Sequence, residues 1–210
     1  MSEGLCLPAC AYVDIFVAKG KFYEHANLNS RTKKEFFGKI QRITWKYKLA
    51  EDTIGIAKTD KVTEIQIFKL ELKTQEIPVK ALKIIDKTIP YQILYKFVFR
   101  ESVAWGITLK EGYKAQNYYF SEWDEPITFD FTGIDLQKVY QKLVKAFIGA
   151  VDNKKNFTDL VANDAARKQL ENEIRVLERK MKKEKQFNRK VDMNKILLEK
   201  KQQLGKLSEP

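Results

Sequence analysis

Cysteine and histidine are almost missing from this chain: Cys6 and Cys10 are its only cysteines and His25 its single histidine in 210 residues. Those side chains cannot complete a conventional four-ligand Cys/His zinc site. The CLPAC pair reads as ordinary thiols near the N-terminus, not as a redox or metal motif. No glycine-rich phosphate loop occurs, which removes the usual signature of ATP hydrolysis. No apolar run is long enough to cross a bilayer, so a cytoplasmic protein without membrane contact is expected. LCLPACAYVDIFVAKG is apolar but interrupted by Asp14, and no basic segment precedes its apolar part; it reads as mature sequence and not as a secretion signal.

Positive charge is what the chain has in excess. Its formal charge is +11 and its pI about 9.4, which favours a polyanionic or acidic partner. Apolar residues at 44% and aromatic residues at 12% place most of the chain outside the disordered class. That length buries one substantial core with room for one extended element outside it.

The pattern along the chain gives an α+β fold: a mixed or antiparallel sheet with packed helices, followed by a long C-terminal helix or coiled coil. Residues 1–10 form an N-terminal segment, 11–150 the body, 151–163 a linker and 164–206 the basic helical segment. Ser30 is placed to cap a helix whose apolar face carries Phe36 or Phe37, Ile40, Ile43 and Tyr47. In VTEIQIFKLELK the apolar alternation changes face midway, which fits a strand with a bulge or one covered on both sides. Pro78 opens a short helix, PVKALKIIDK, that ends before Pro90. YQILYKFVF and VAWGITLK read as strands joined tightly around Arg100, Glu101 and Ser102, with QNYYFSEW as a weaker third. Asp135 caps a helix presenting Leu136, Val139, Leu143 and Phe147.

In the C-terminal segment, Leu170, Ile174, Leu177 and Met181 follow the four, three, four spacing of a coiled-coil seam. The same register then meets Glu184 and Asn188, where Phe187 and Val191 offer a shifted apolar pair. One long helix with a register change, or two helices folded back near Lys185 to Arg189, both fit. No Gly or Pro marks a turn, which favours the continuous helix. Residues 167–206 hold 14 Lys/Arg against 6 Asp/Glu, a net of +8, leaving only +3 for the remainder of the chain. The densest part carries Arg179, Lys180, Lys182, Lys183, Lys185, Arg189 and Lys190, with Gln186 and Asn188 among them. Such a row offers salt-dependent contact with nucleic-acid phosphates, DNA or RNA, or with a protein. An ordinary solvated coiled-coil surface has the same composition, and pairing of two copies through the seam is a third use.

Chemistry has two weaker candidates. Asp60, Glu71 and Lys73 resemble the D…ExK arrangement of restriction-like nucleases, in which two carboxylates would hold Mg²⁺ and the lysine would stabilise phosphate charge. Asp60 is not preceded by proline, and Lys69, Glu71 and Lys73 equally form the polar half of a strand. His25, in FYEH, is the one side chain that titrates near neutrality, with no local nucleophile to complete a constellation. Trp45, Tyr47, Trp105, Tyr113, Tyr118, Tyr119 and Trp123 are expected to build the core or an internal protein interface, a base-stacking role requiring Tyr118 or Trp123 to be exposed beside basic groups.

Taken together, KFYEH, ITWKYKL, TEIQIFKLELK, IDKTIPYQIL and KEKQFNRKVDMN resemble the DUF4391 family of prokaryotic proteins, with Asp192 where Glu is commoner. The likeness runs from the LPAC region into the terminal helix. Members of this family are often encoded near helicases and DNA methyltransferases in restriction or phage-defence regions. The resemblance therefore implies an accessory or adaptor protein with a larger protein partner, such as a helicase or methyltransferase. It transfers no catalytic residues.

Overall fold

The computed structural model describes residues 5–24, 30–111, 114–148 and 156–208. The chain divides into two compact units, Met1–Gly149 and Ala150–Pro210. The first is an α+β body. Along it run β1 (Tyr12–Phe16), α1 (Gly20–Glu24), α2 (Ser30–Lys39), β2 (Ile40–Leu49), α3 (Glu51–Ile54), β3 (Ile65–Leu72), α4 (Val79–Thr88), β4 (Gln92–Phe99), β5 (Ser102–Glu111), β6 (Lys114–Phe120) and α5 (Leu136–Ile148). The six strands lie in sequence order in one mixed sheet. Every neighbouring pair is antiparallel except β3 and β4, which are parallel. A parallel pair needs a crossover connection, and α4 supplies it.

The crossover explains the pattern of β3. Ile65, Gln66, Ile67 and Phe68 are all buried, as are Gln92, Ile93, Leu94 and Tyr95 of β4, because the central strands are covered on both faces. One face packs Phe68, Leu70, Ile93, Tyr95 and Phe97 against Phe22, Phe36, Leu82 and Ile85 of α1, α2 and α4. On the other, Trp105 meets Phe129 with ring centroids 4.9 Å apart, and Phe129 reaches Phe147 of α5 at 5.8 Å. Gly106 marks a close approach on the first face. A Cβ there would lie 2.7 Å from the Phe120 ring and 2.9 Å from the Phe97 ring.

Several local signals act as read from the sequence. Helix α4 fits between Pro78 and Pro90, and β4 returns into β5 through Arg100 and Glu101, with Arg100 at φ 55°. Asp135 caps α5 by accepting the Lys138 amide at 2.7 Å, and Leu136, Val139 and Leu143 are buried. The DEPITFDFTG stretch is loop. The expected helix through Tyr47 is corrected: α2 stops at Lys39, and Ile40, Ile43 and Tyr47 belong to strand β2. ITWKYKL is rich in β-branched and aromatic residues, which favour a pleated half-buried surface, and pairing along β3 outweighs the helical spacing. Of the two readings of VTEIQIFKLELK, cover on both faces is the one found, and the bulges lie on the neighbouring strand. Between Ile40 and Arg42, and again between Trp45 and Tyr47, β2 advances by an extra residue against a regular β3.

Strand β1 forms one sheet edge. A register shift separates Tyr12 from Ile15, where Asp14 takes a φ of 53°. The Lys46 ammonium pairs with Asp14 at 2.8 Å and lies 5.0 Å from the Tyr12 ring centroid, and the Arg42 guanidinium lies 5.5 Å from that of Phe16.

The second unit contains α6 (Phe157–Lys183) and α7 (Phe187–Ser208). Asn156 caps α6, so residues 157–163, expected as linker, are helical. The favoured single helix is likewise corrected: the chain leaves helical geometry at Glu184, at φ −72° and ψ 134°, and α7 returns against α6. No helix among the described residues is long and apolar enough to cross a membrane.

Candidate nucleic-acid interface

The hairpin is held by the seam that the sequence predicts. Ile174 of α6 and Leu197 of α7 are buried, and Leu170, Leu177, Met181, Met193 and Leu204 are half-buried. The seam thus has a partner within its own chain. Asn188, predicted at a seam position, is exposed in the first turn of α7, because the register restarts after the turn. Two ion pairs bridge the helices, Lys200 to Glu173 at 2.6 Å and Lys201 to Glu178 at 2.9 Å. Further down α6, Arg167 binds Asp164 at 2.7 Å and Glu171 at 3.2 Å, and Lys168 binds Asp164 at 2.9 Å. Burial alone would raise the Asp164 pKa, but Arg167 and Lys168 outweigh it and hold the carboxylate ionised.

The turn uses a carboxylate where glycine is usual. One Glu184 oxygen accepts the Lys185 amide at 2.8 Å and the Gln186 amide at 2.9 Å, and these bonds lower the Glu184 pKa. The Lys190 amide then bonds to the Gln186 carbonyl at 3.1 Å and α7 is under way. A reversal that satisfies its own amides needs neither a left-handed residue nor proline.

Around this turn the cations lack acidic partners. Arg179, Lys180, Lys182, Lys183, Lys185, Arg189 and Lys190 are all exposed, and none makes a salt bridge among the described residues. Glu184 is the only acid between 179 and 190, and it feels Arg189 and Lys190 at longer range. At a rise of about 1.5 Å per residue, every one of these cations lies within about 8 Å of the turn along a helix axis. A continuous helix would spread them over about 17 Å. Folding back shortens the axial spread to less than a Debye length at 0.1 M salt, about 10 Å, so the fields of the two helix ends add at the turn.

The cations on α7 also oppose the helix. The first turn of α7 holds no acid but carries Arg189 and Lys190 beside the positive end of the helix dipole. Lys180, Lys182 and Lys183 close α6, where cations are favourable. Gln186 and Asn188 stand exposed among them.

The other predicted residues do not converge. Asp60 precedes the start of β3 and Glu71 lies near its end; the six residues from Ile65 to Glu71 span about 20 Å. Glu71 pairs with Lys69 at 3.1 Å, and Lys73 is exposed past the strand. The Asp60–Glu71–Lys73 arrangement is therefore not assembled, and the described residues hold no group of three or more His, Cys, Asp or Glu able to hold a metal ion. His25 and Tyr113 lie outside the described residues. Cys6 and Cys10 are exposed free thiols, Cys10 donating to the Thr53 carbonyl. Tyr118 and Trp123 pack against the core.

One constellation escaped the sequence reading. Asp86 of α4, fully buried, accepts hydrogen bonds on Oδ2 from Thr108 at 3.0 Å and Tyr118 at 2.7 Å. Lys110 Nζ lies 3.5 Å from Asp86 Oδ1 and donates to the carbonyls of Asp86 and Ile89. Burial raises the Asp86 pKa against the pull of Lys110, and burial lowers that of Lys110. The same enclosure lifts Tyr95 well above the ordinary range, with the Asp86 carboxylate adding to it. With both charged side chains at 0% exposure, this network ties α4 to β5 and β6 inside the core. Its traces in the sequence are an aspartate on the apolar face of α4 and a lysine alternating with Thr108 on β5.

An α+β body and a helical hairpin with an unneutralised cationic tip define the class of protein. The chain belongs to the family described as a domain of unknown function, DUF4391, whose model matches residues 5–204. No curated protein and no solved structure matches the chain.

Proposed function

We propose that this protein is a non-catalytic accessory or adaptor factor of a nucleic-acid-processing system of restriction or phage-defence type, acting in the cytoplasm, and that the tip of its α6–α7 hairpin contacts the DNA or RNA backbone. The observation that carries this reading is the turn itself: seven exposed cations that make no salt bridge among the described residues, around a single acid. A coiled-coil surface built only for solubility would interleave acids with its bases, as Glu171, Glu173 and Glu178 do further down α6. At the tip that interleaving stops, and part of the charge sits at an unfavourable helix end. The body's share of the reading, holding a larger partner such as a helicase or methyltransferase, rests on the family resemblance.

Reversing charge in the full-length protein tests it. With Lys182→Glu, Lys183→Glu and Arg189→Glu combined, affinity for a labelled duplex is expected to fall, and the slope of log K against log salt to shrink by about 0.9 for each phosphate that is no longer neutralised. Fluorescence anisotropy between about 50 and about 300 mM salt gives both quantities. An unchanged affinity and slope in the triple variant would remove the tip from nucleic-acid binding.

A further inference from the structure

Phe187 opens α7 in the middle of the cationic tip, and its side chain is 77% exposed. The seam does not use it: the buried member of that face on α7 is Leu197, and Phe187 has only Val191, 38% exposed, as an apolar neighbour one turn along its own helix. Side chains on a helix tilt toward its N-terminus, so the first residue of α7 projects its ring toward the turn and off the end of the hairpin. Lys185, Arg189 and Lys190 flank it in sequence, and Arg179, Lys180, Lys182 and Lys183 end α6 on the other side of the turn.

We propose that Phe187 is a stacking platform for an unpaired nucleobase, so that the tip takes single-stranded nucleic acid as its ligand. This rests on the reading of the tip as a nucleic-acid contact and adds the class of strand. Phosphate contact alone needs only the cations; it gives no use for a phenyl ring held in water among them. A planar ring surrounded by ammonium and guanidinium groups matches the two halves of an unpaired nucleotide, base face and phosphate. In a duplex the base faces are already stacked, so the ring gains nothing there unless a base step opens. An anionic membrane would meet the same charge, but interfacial helices present a broad apolar stripe; among the described residues Phe187 and Val191 are the exposed apolar side chains at the turn, while Ile196, Leu198 and Leu207 lie farther along α7, away from the densest cations.

The test compares three labelled ligands with the full-length protein by anisotropy: a short oligothymidine, a blunt duplex of equal length, and an abasic strand with the same phosphates and no bases. The wild type is expected to bind the oligothymidine more tightly than the abasic strand. Phe187→Ala should lower oligothymidine affinity about 5- to 100-fold, to the abasic level, with the salt slope unchanged. Phe187→Trp should restore it. Because the ring is exposed, an unchanged far-UV circular dichroism spectrum verifies that Phe187→Ala keeps the hairpin.

If Phe187→Ala binds oligothymidine as the wild type does while Lys182→Glu with Lys183→Glu binds it less well, stacking is wrong and backbone contact stands. If neither change alters binding to any of the three ligands, both readings fall. If Phe187→Ala weakens binding to phosphatidylserine vesicles and leaves oligothymidine untouched, the platform belongs to a lipid surface and the proposal is overturned.

Discussion

Lys110 in the body and Lys183 in the hairpin are the same side chain under opposite conditions. The first has no solvent exposure: its ammonium donates to the backbone carbonyls of Asp86 and Ile89 and lies 3.5 Å from the Asp86 carboxylate. The second stands in water among six like charges with one acid nearby. Buried charge in the body specifies how α4 sits over β5, and it is consumed in doing so. The tip cations make no salt bridge among the described residues and stand exposed to solvent. Net charge therefore says little until each cation has been placed, and in this chain placement separates a lysine enclosed in the core from lysines left in solvent.

The contrast is broken most directly by removing one charge from each region. Lys110→Met leaves Asp86 uncompensated in the core and is expected to cost about 3–5 kcal/mol, whereas Lys183→Met should stay within about 0.5 kcal/mol. Urea unfolding followed by tryptophan fluorescence reads the first in the body, since Trp45, Trp105 and Trp123 are the three tryptophans of the chain, and helical circular dichroism reads the second in the hairpin. A Lys110→Met cost below about 1 kcal/mol would mean that the buried network specifies little.

The next effect separates the units. Leu197 is the buried apolar member of the seam on α7, 7% exposed. Its replacement by Ala should cost the hairpin about 2–4 kcal/mol. Helical circular dichroism should then be lost at lower urea than the tryptophan signal changes. Coincident transitions would show that the two units unfold as one.

The smallest effect concerns an exposed pair. The Lys142 ammonium, 2.6 Å from Asp130, and the side chain and amide of Thr132 lower the Asp130 pKa from 3.8 to about 2. A folded-state value below the unfolded one stabilises above pH 3.8, and that contribution disappears as pH falls through about 2. Both side chains are about half exposed, so it is worth less than about 1 kcal/mol. Lys142→Met should move Asp130 back toward 3.8 in an NMR titration while the melting temperature barely changes. A large loss of stability would mark this loop as more than a surface contact.

How much of this could be read in the sequence depended on where the deciding interaction lies. Local chemistry was legible: prolines bracketing α4, the aspartate cap of α5, the short return from β4 into β5, and the double-sided burial of β3. Strand β2 was not, because Ile40, Ile43 and Tyr47 satisfy helical spacing, and what makes them a strand is eight residues of partner on β3. The hairpin turn was hidden for a different reason. Glu184 reverses the chain by satisfying neighbouring amides, and glutamate in a basic run looks like one more helix surface residue. The Asp86–Lys110 contact joins positions 24 apart in sequence through the seating of α4 on the sheet, which no spacing rule expresses. Of the candidate site, the cations were visible as a run, but their gathering at one end and the exposure of Phe187 come only with the turn.

The kink at Asp14 has a consequence for how copies of this protein behave when crowded. An outermost ribbon that is bent at its middle, with an ammonium over one aromatic and a guanidinium over another, presents no straight row of free amides to a second ribbon. On that side the sheet ends itself. Among the described residues that border is a poor template for fibrous growth in concentrated samples, despite the tyrosine, isoleucine and phenylalanine left facing water.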